Sequence, residues 1–203
     1  MNRPLHHENS AFSLLEMLVV VSIMIVLMAL VLPPMTSLLD SSRMEQGGKT
    51  VYDQFSLARQ LASTGNNAVE VRLINIPGIS TQGYSGIQLF VSGTSTTPLA
   101  AEKIAYLPQS IAISPDKTTL SKLLNFLTVS GTMTVAGSSV SYVSFTLRPS
   151  GAVVPVVSGT DRNSLYVTVV PARLSGTGNS TVPPNFATIQ LNPDTGAPLI
   201  FRK

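Results

Sequence analysis

The chain has 203 residues, with 13 basic and 10 acidic side chains, a net charge of +3 and no cysteine. This length is sufficient for one or two domains. Without cysteine there is no disulfide framework and no thiol chemistry. The basic residues are scattered singly and form no stripe of the kind that nucleic-acid binding requires, so we predict no nucleic-acid partner.

A polar leader, residues 1–11, precedes a long apolar run. No charged residue occurs between Met17 and Leu39. Because a helix needs about 20 apolar residues to cross the hydrocarbon core of a bilayer, this run predicts a transmembrane helix over residues 12–39. A secretory signal peptide fits less well, because its apolar region is only about 7–15 residues long and is followed by a cleavage site.

One acidic residue, Glu16, lies near the start of the apolar run. A central acid opposes membrane insertion by roughly 3 kcal/mol, whereas each Leu, Ile or Val favours insertion by roughly 0.3–0.6 kcal/mol. The summed insertion free energy of the apolar residues therefore outweighs the cost of the acid. The Glu16 carboxylate can also reach the membrane interface. An ionisable residue in such a segment is a candidate functional residue.

The order of these features resembles the class III signal of type IV pilins and pseudopilins. The resemblance implies that a prepilin peptidase cleaves between Ala11 and Phe12 and that Phe12 becomes N-methylated. It also implies that Glu16 pairs with the amino terminus of a neighbouring subunit, and that Pro33 kinks the helix. Ala11 stands where the family usually has Gly. A plain signal anchor is the alternative interpretation of the same segment.

The helix is predicted to continue over residues 40–66 as an amphipathic segment. Pro33 and Pro34 remove two backbone donors and predict a kink or local break before it. Gly47-Gly48 weakens the helix by roughly 1 kcal/mol per Gly relative to Ala and suggests a second flexible point. The apolar stripe consists of Val51, Phe55, Ala58 and Ala62, with Asp53, Arg59 and Gln60 off it, and the helix is predicted to stop at Thr64-Gly65-Asn66-Asn67.

Residues 67–203 predict a β-rich globular domain. Apolar and polar residues alternate over residues 69–73, which is typical of a half-buried strand. Residues 118–127 suggest a short helix. The other predicted strands are residues 87–91, 103–107, 110–114, 140–147, 165–170, 187–191 and 199–202. The predicted fold is α+β and pilin-like: a long N-terminal helix, transmembrane in its first half, packs on an antiparallel β-sheet.

Two turns near the C-terminus extend the family resemblance. A strand ending in a Pro-x-Gly turn at residues 145–151, followed by a hairpin around Thr-Gly at residues 189–196, is similar to the minor pseudopilins of the GspH/FimT group. A closer resemblance is to the Verru_Chthon cassette protein D family, pilin-like proteins of Verrucomicrobia. Besides the two turns, it rests on residues 60–62, 68–72 and 88–90.

No pattern of residues in the sequence favours an enzymatic function. The only histidines, His6 and His7, lie in the leader, and no pair of acids has a spacing that indicates acid–base catalysis. We predict no catalytic residue, no cofactor and no metal site. Asn192 and Asp194 are the best candidates for a calcium site, but a hard cation wants six to eight oxygens and Asp194 is more simply a turn former.

The predicted function is that of a structural subunit, of the minor kind, in a type IV pilus-like or type II secretion pseudopilus-like filament. The implied partners are prepilin peptidase, other pilin or pseudopilin subunits, inner-membrane lipid and an assembly platform. The implied location is the inner membrane, with a single span, a cytoplasmic leader and a periplasmic globular domain. The alternative is a monomeric membrane-anchored periplasmic binding or adaptor domain that does not polymerise.

Overall fold

A computed structural model describes residues 13–78, 82–92, 98–127, 129–154, 165–176 and 182–202, with the side chains of residues 30–38 outside that description. The chain has the predicted α+β class, with one long helix and antiparallel strands. It divides into two compact units, Met1–Asp40 and Ser41–Lys203. We call the second of these the globular unit.

Helix α1 spans Leu14–Gly65, a length of 52 residues. In the globular unit its predicted apolar stripe is confirmed. The Phe55 ring meets the Phe145 ring edge-on, with 5.5 Å between centroids. The predicted stop is also confirmed, because the helix ends at Gly65 and Asn66 then takes a positive φ of 49°, as residues after a helix end often do. The fully buried stripe consists of Val51, Phe55, Ala58 and Ala62.

The strands form two antiparallel sheets. The larger contains β1 (Ala68–Ile74), β2 (Gly86–Ser92), β3 (Leu99–Ala100), β4 (Ala105–Tyr106), β6 (Val129–Val135), β7 (Ser138–Leu147) and β8 (Val153–Val154). Its order is β3-β2-β1-β7-β6, with β4 beside β2 and β8 beside β7. The smaller contains β5 (Ile111–Ile113), β9 (Tyr166–Pro171), β10 (Ala187–Leu191) and β11 (Pro198–Arg202), in the order β11-β10-β9-β5.

The expectation of a single sheet is therefore wrong. Alternation along a strand indicates which of its faces is buried, but it does not indicate the strand with which it pairs. The two sheets nevertheless share one core. Apolar side chains of α1, of the larger sheet and of the smaller sheet all belong to the same buried cluster, including Phe55, Phe145 and Ile189.

The outward face of β1 carries a partly buried ion pair. Arg72 donates two hydrogen bonds to the carboxylate of Glu70, at 2.9 and 2.8 Å. Its guanidinium lies 3.9 Å from the centroid of the Phe90 ring and 4.5 Å from that of the Tyr142 ring. The two aromatic faces and the bidentate carboxylate together compensate for the removal of this charge from water. The predicted alternation of β1 is confirmed, with Val69, Val71 and Leu73 buried on the other face.

Other differences from the predicted elements are local. Strand β6 was not predicted, although it pairs with β7 along its whole length. The two residues between them, Ala136 and Gly137, both have positive φ, at 49° and 81°. Such two-residue turns favour Asn, Asp or Gly at both positions, so alanine concealed the hairpin. The predicted strand at residues 103–107 shortens to β4, and the helix predicted at residues 118–127 shortens to a 3₁₀ helix, Lys122–Phe126.

Gly47 and Gly48 have a packing role that helix propensity did not indicate, and the flexible point predicted there stays a prediction. The helix continues through both residues. A Cβ on Gly47 would lie 2.7 Å from Cγ2 of Ile111, and one on Gly48 would lie 2.9 Å from Cβ of Ala187. Both distances are shorter than carbon atoms tolerate. The two glycines therefore allow α1 to approach the smaller sheet closely.

We predict that Gly48→Ala destabilises the globular unit, although alanine is favoured over glycine in a helix by about 1 kcal/mol. The Ala187 Cβ cannot rotate away, and overpacking a core costs typically 1–3 kcal/mol. Gly65→Ala is the matched control, because its new Cβ would have only ordinary contact, 3.6 Å from Asn67 Nδ2. Thermal unfolding of the detergent-solubilised chain, followed by circular dichroism, measures both. A melting temperature of Gly48→Ala above that of the parent would contradict the close approach.

The second stability prediction concerns the stripe of α1. Phe55→Ala removes a fully buried ring and should cost about 3–5 kcal/mol of unfolding free energy. Asp53→Ala, on the exposed side of the helix, is the control and should change the melting temperature little. Equal melting temperatures of these two variants would show that the stripe is not the core contact described above. Arg59 is unsuitable as a control, because its Nε donates to the carbonyl oxygen of Thr195 at 2.7 Å.

Candidate functional site

The start of α1 lies directly after the predicted processing site. Ser13 caps the helix: its Oγ accepts a hydrogen bond from the Glu16 N–H at 3.2 Å, and its carbonyl oxygen accepts one from Met17 N–H at 3.2 Å. Ala11 and Phe12, the predicted cleavage and methylation residues, lie outside the described residues. The Ser13-x-x-Glu16 spacing is a known signature of a helix start and could have predicted this cap from the sequence.

The carboxylate of Glu16 is exposed and makes no hydrogen bond or ion pair with any residue that the structure describes. In a complete capping box, this carboxylate would accept a hydrogen bond from the backbone N–H of Ser13. Here only the serine half of that motif is formed. An acid in the first turn still favours the helix through its dipole, by typically 0.3–1 kcal/mol.

The first part of α1 presents apolar side chains in every direction. Each large apolar residue from Leu14 to Met28 is between 42% and 85% exposed. Apart from Glu16, the only polar residue in this stretch is Ser22, whose hydroxyl donates to the Leu18 carbonyl oxygen at 2.8 Å. The hydroxyl is therefore already satisfied within the helix. A helix that is apolar all round belongs in an apolar environment that surrounds it.

Among the residues whose side chains are described, no helical stretch is both long and apolar enough to cross a membrane. The side chains of Pro33 and Pro34 lie outside the description. The helix assignment runs through both positions without a break. The bend predicted there stays a prediction.

The two C-terminal turns that supported the family resemblance lie against each other. Gly151 and Gly196 both have positive φ, at 87° and 62°, and a Cβ on Gly151 would overlap the carbonyl of Thr195. The Val153 N–H donates to the Pro193 carbonyl oxygen at 2.9 Å. Arg59 of α1 also donates a hydrogen bond to the carbonyl oxygen of Thr195. The helix is therefore bonded to the second turn, which contacts the first.

Asn192 and Asp194 occupy the second of these turns. Oδ1 of Asn192 accepts hydrogen bonds from the N–H groups of Asp194 and Thr195, at 3.0 and 3.1 Å. Asn192 is therefore the residue that closes the turn with its side chain. In the part of the chain that is described, no group of three or more histidine, aspartate or glutamate residues is placed to hold a metal ion.

Local structure explains the shifted pKa values of three titratable groups in the globular unit. Burial raises the pKa of Tyr84. Burial and the nearby charge of Asp116 raise the pKa of Tyr166. Burial opposes ionisation of Asp116, but hydrogen bonds from the Thr118 hydroxyl and from the N–H groups of residues 118–120 outweigh it and lower its pKa. These shifts follow from a turn and from packing.

Comparison with protein families, with curated proteins and with solved structures finds no match for this chain. The resemblance to pilins therefore rests on the residues themselves. They are the segment around Glu16, the apolar run after it, and the two C-terminal turns.

Proposed function

We propose that this protein is a pilin-like structural subunit, of the minor kind, in a type IV pilus-like or type II secretion pseudopilus-like filament. Prepilin peptidase removes residues 1–11, and the apolar part of α1 holds the subunit in the inner membrane until an assembly platform moves it into the filament. The observation that carries this proposal is the exposure of apolar side chains on all sides of α1 from Leu14 to Met28.

The all-round apolar surface restricts the environments that suit this helix. Burying one Val, Leu, Ile or Met side chain fully is worth about 1.5–3 kcal/mol, so exposure of the whole stretch to water is strongly unfavourable. A helix that lies along a membrane surface has a polar face, and a two-stranded coiled coil needs only a narrow apolar seam. Neither pattern fits this helix. Lipid or a bundle of like helices would surround it with apolar groups on all sides and therefore suits it.

Glu16 supplies the specific contact in this proposal. Cleavage before Phe12 creates a positively charged amine one residue before the helix cap, Ser13. In a bundle of apolar helices, the attraction between this amine and the Glu16 carboxylate of a neighbouring subunit is much stronger than in water. An unpaired carboxylate is costly in the same surroundings, so the pair favours one axial register of adjacent helices over all others.

The first test of this function is the N-terminus of the mature protein. We expect mass spectrometry of the N-terminal peptide from native membranes to show N-methyl-Phe12. Ala11→Gly, which restores the usual family residue, should be processed at least as fast. A protein that retains residues 1–11 in cells with active prepilin peptidase would contradict the processing step.

The second test separates the charge of Glu16 from its place in the helix cap. Glu16→Gln keeps the size and the acceptor oxygen but removes the charge, so it should insert in the membrane and fail to enter filaments. Ser13→Ala weakens the helix start by about 1 kcal/mol but keeps the charge, and it should assemble. The measurement is the fraction of each variant in sheared filaments relative to the membrane.

The pattern of results distinguishes the two functions considered for this chain. Equal assembly of Glu16→Gln and the parent would remove the proposed role of Glu16. A parent protein that stays monomeric in membranes containing the assembly platform would favour the anchored, non-polymerising domain instead.

A further inference from the structure

Exposed apolar side chains of the globular unit concentrate on sheet edges. Among the described residues of this unit, six large apolar side chains are exposed, and all but Val182 stand on strands at an edge of a sheet. On the edges of the larger sheet they belong to β3, β4 and β6, and on the edge of the smaller sheet they belong to β11. The six are Leu99, Tyr106, Val129, Val182, Leu199 and Phe201.

Two of these edges are long enough to accept another strand. Strand β11 has five residues and pairs, within the described chain, only with β10. Strand β6 has seven and pairs only with β7. The remaining edge strands of the larger sheet, β3, β4 and β8, have two residues each and offer too short a ladder. Among the described residues, the outer N–H and C=O groups of β6 and β11 have no strand partner and are therefore the best places for a further strand.

The two edges carry little of the charge that monomeric proteins usually place along an exposed strand, although the proline that begins β11 is itself a residue that limits strand pairing. Strand β6 contains no charged residue. Strand β11 begins with a proline and ends with Arg202, whose charge is paired with Glu45 of α1 at 3.0 Å. Between these ends, Leu199 is 59% and Phe201 is 52% exposed on the outer face. Low charge and exposed aromatic and aliphatic residues are typical of the centre of a protein interface.

We propose that β11 of one subunit pairs with β6 of the next copy of this chain, and that this pairing is the lateral contact between globular units. The inference rests on the proposed filament function. A second copy is the occupant because the chain itself supplies both open edges, one on each sheet, and neither edge brings an unpaired charge into the contact. Since the two edges differ, the contact is head-to-tail, and it extends into a filament where the rotation between copies does not close a ring.

Cross-linking of the full-length chain tests this pairing directly. The natural sequence contains no cysteine, so introduced cysteines are the only thiols. Phe201→Cys labels β11, and Thr132→Cys labels an exposed position of β6. With a short bismaleimide in filament-forming membranes, the double variant should give a ladder of dimers, trimers and larger species. Each single variant should stay monomeric, and a mixture of the two single variants should give dimers only.

Four outcomes would overturn the proposal. A dimer from Phe201→Cys alone would indicate pairing of β11 with itself. A dimer from Thr132→Cys alone would indicate the same for β6. A double variant that stays monomeric, while Ile23→Cys in the apolar helix does cross-link, would show that subunits assemble through their helices without the edge contact. Loss of both kinds of cross-link would contradict the filament function as well.

A charge placed on the edge provides an independent measurement. Phe201→Lys should lower the yield of sheared filaments by about tenfold or more, which corresponds to about 1.4 kcal/mol per subunit contact. Val182→Lys is the control, because Val182 is 46% exposed but belongs to no strand. Membrane levels of the two variants should match that of the parent. Equal filament yields of the two variants would contradict the role of β11.

Discussion

The close packing of α1 on both sheets is the contact on which the globular unit depends. Phe55 meets Phe145 of the larger sheet, and Gly48 faces Ala187 of the smaller sheet. Among the described residues, the two sheets also meet at the bridge between Tyr84 and Ile113 and at the hydrogen bond from Val153 to Pro193, and apolar side chains of the helix and of both sheets form one buried cluster. Small residues on the helix face permit the close approach, and the side chains of both sheets then complete a single core.

The distribution of polar contacts separates the globular unit from the start of α1. Arg59 bonds to the Thr195 carbonyl, Arg72 to Glu70, and Arg202 to Glu45. Each of these arginines has its partner within the chain. Glu16, by contrast, has no partner among the described residues, although it lies in a stretch where every neighbouring apolar side chain is exposed. In the proposed function, a contact between subunits would use this group, which is costly in apolar surroundings.

Local patterns in the sequence predicted the elements well and their assembly poorly. The stripe of α1, the alternation of β1 and the bounds of β10 depend on the spacing of apolar residues along a short segment. The division into two sheets depends on pairing between distant strands, which spacing does not encode. The hairpin of β6 and β7 was missed because Ala136 occupies a turn position where glycine or asparagine is usual, and the tertiary contacts of the hairpin outweigh that preference.

The same distinction applies to the candidate site. Residue type and spacing predicted Glu16 as a candidate functional residue, which stays a prediction, but they did not predict the helix cap by Ser13. Helix propensity suggested a flexible point at Gly47-Gly48 and gave no sign of a packing role. Only the folded chain shows that Ile111 and Ala187 occupy the space where side chains would stand. Arg59 lies off the apolar stripe and is exposed, as predicted, but local spacing could not indicate its hydrogen bond to Thr195, which lies 136 residues further along the chain.

A subunit of the proposed kind needs more than apolar burial to assemble in order. Burial of the first part of α1 is strong but non-directional, so it allows neighbouring helices to slide and rotate relative to one another. A charge pair at Glu16 would fix the axial position, because an error of one turn leaves two charges unpaired in apolar surroundings. A backbone ladder between β11 and β6 would fix the pairing of globular units, because a shift by one residue reverses the faces of all side chains on the strand. Two directional contacts, one in each unit, would thus convert a non-specific apolar attraction into a defined repeat.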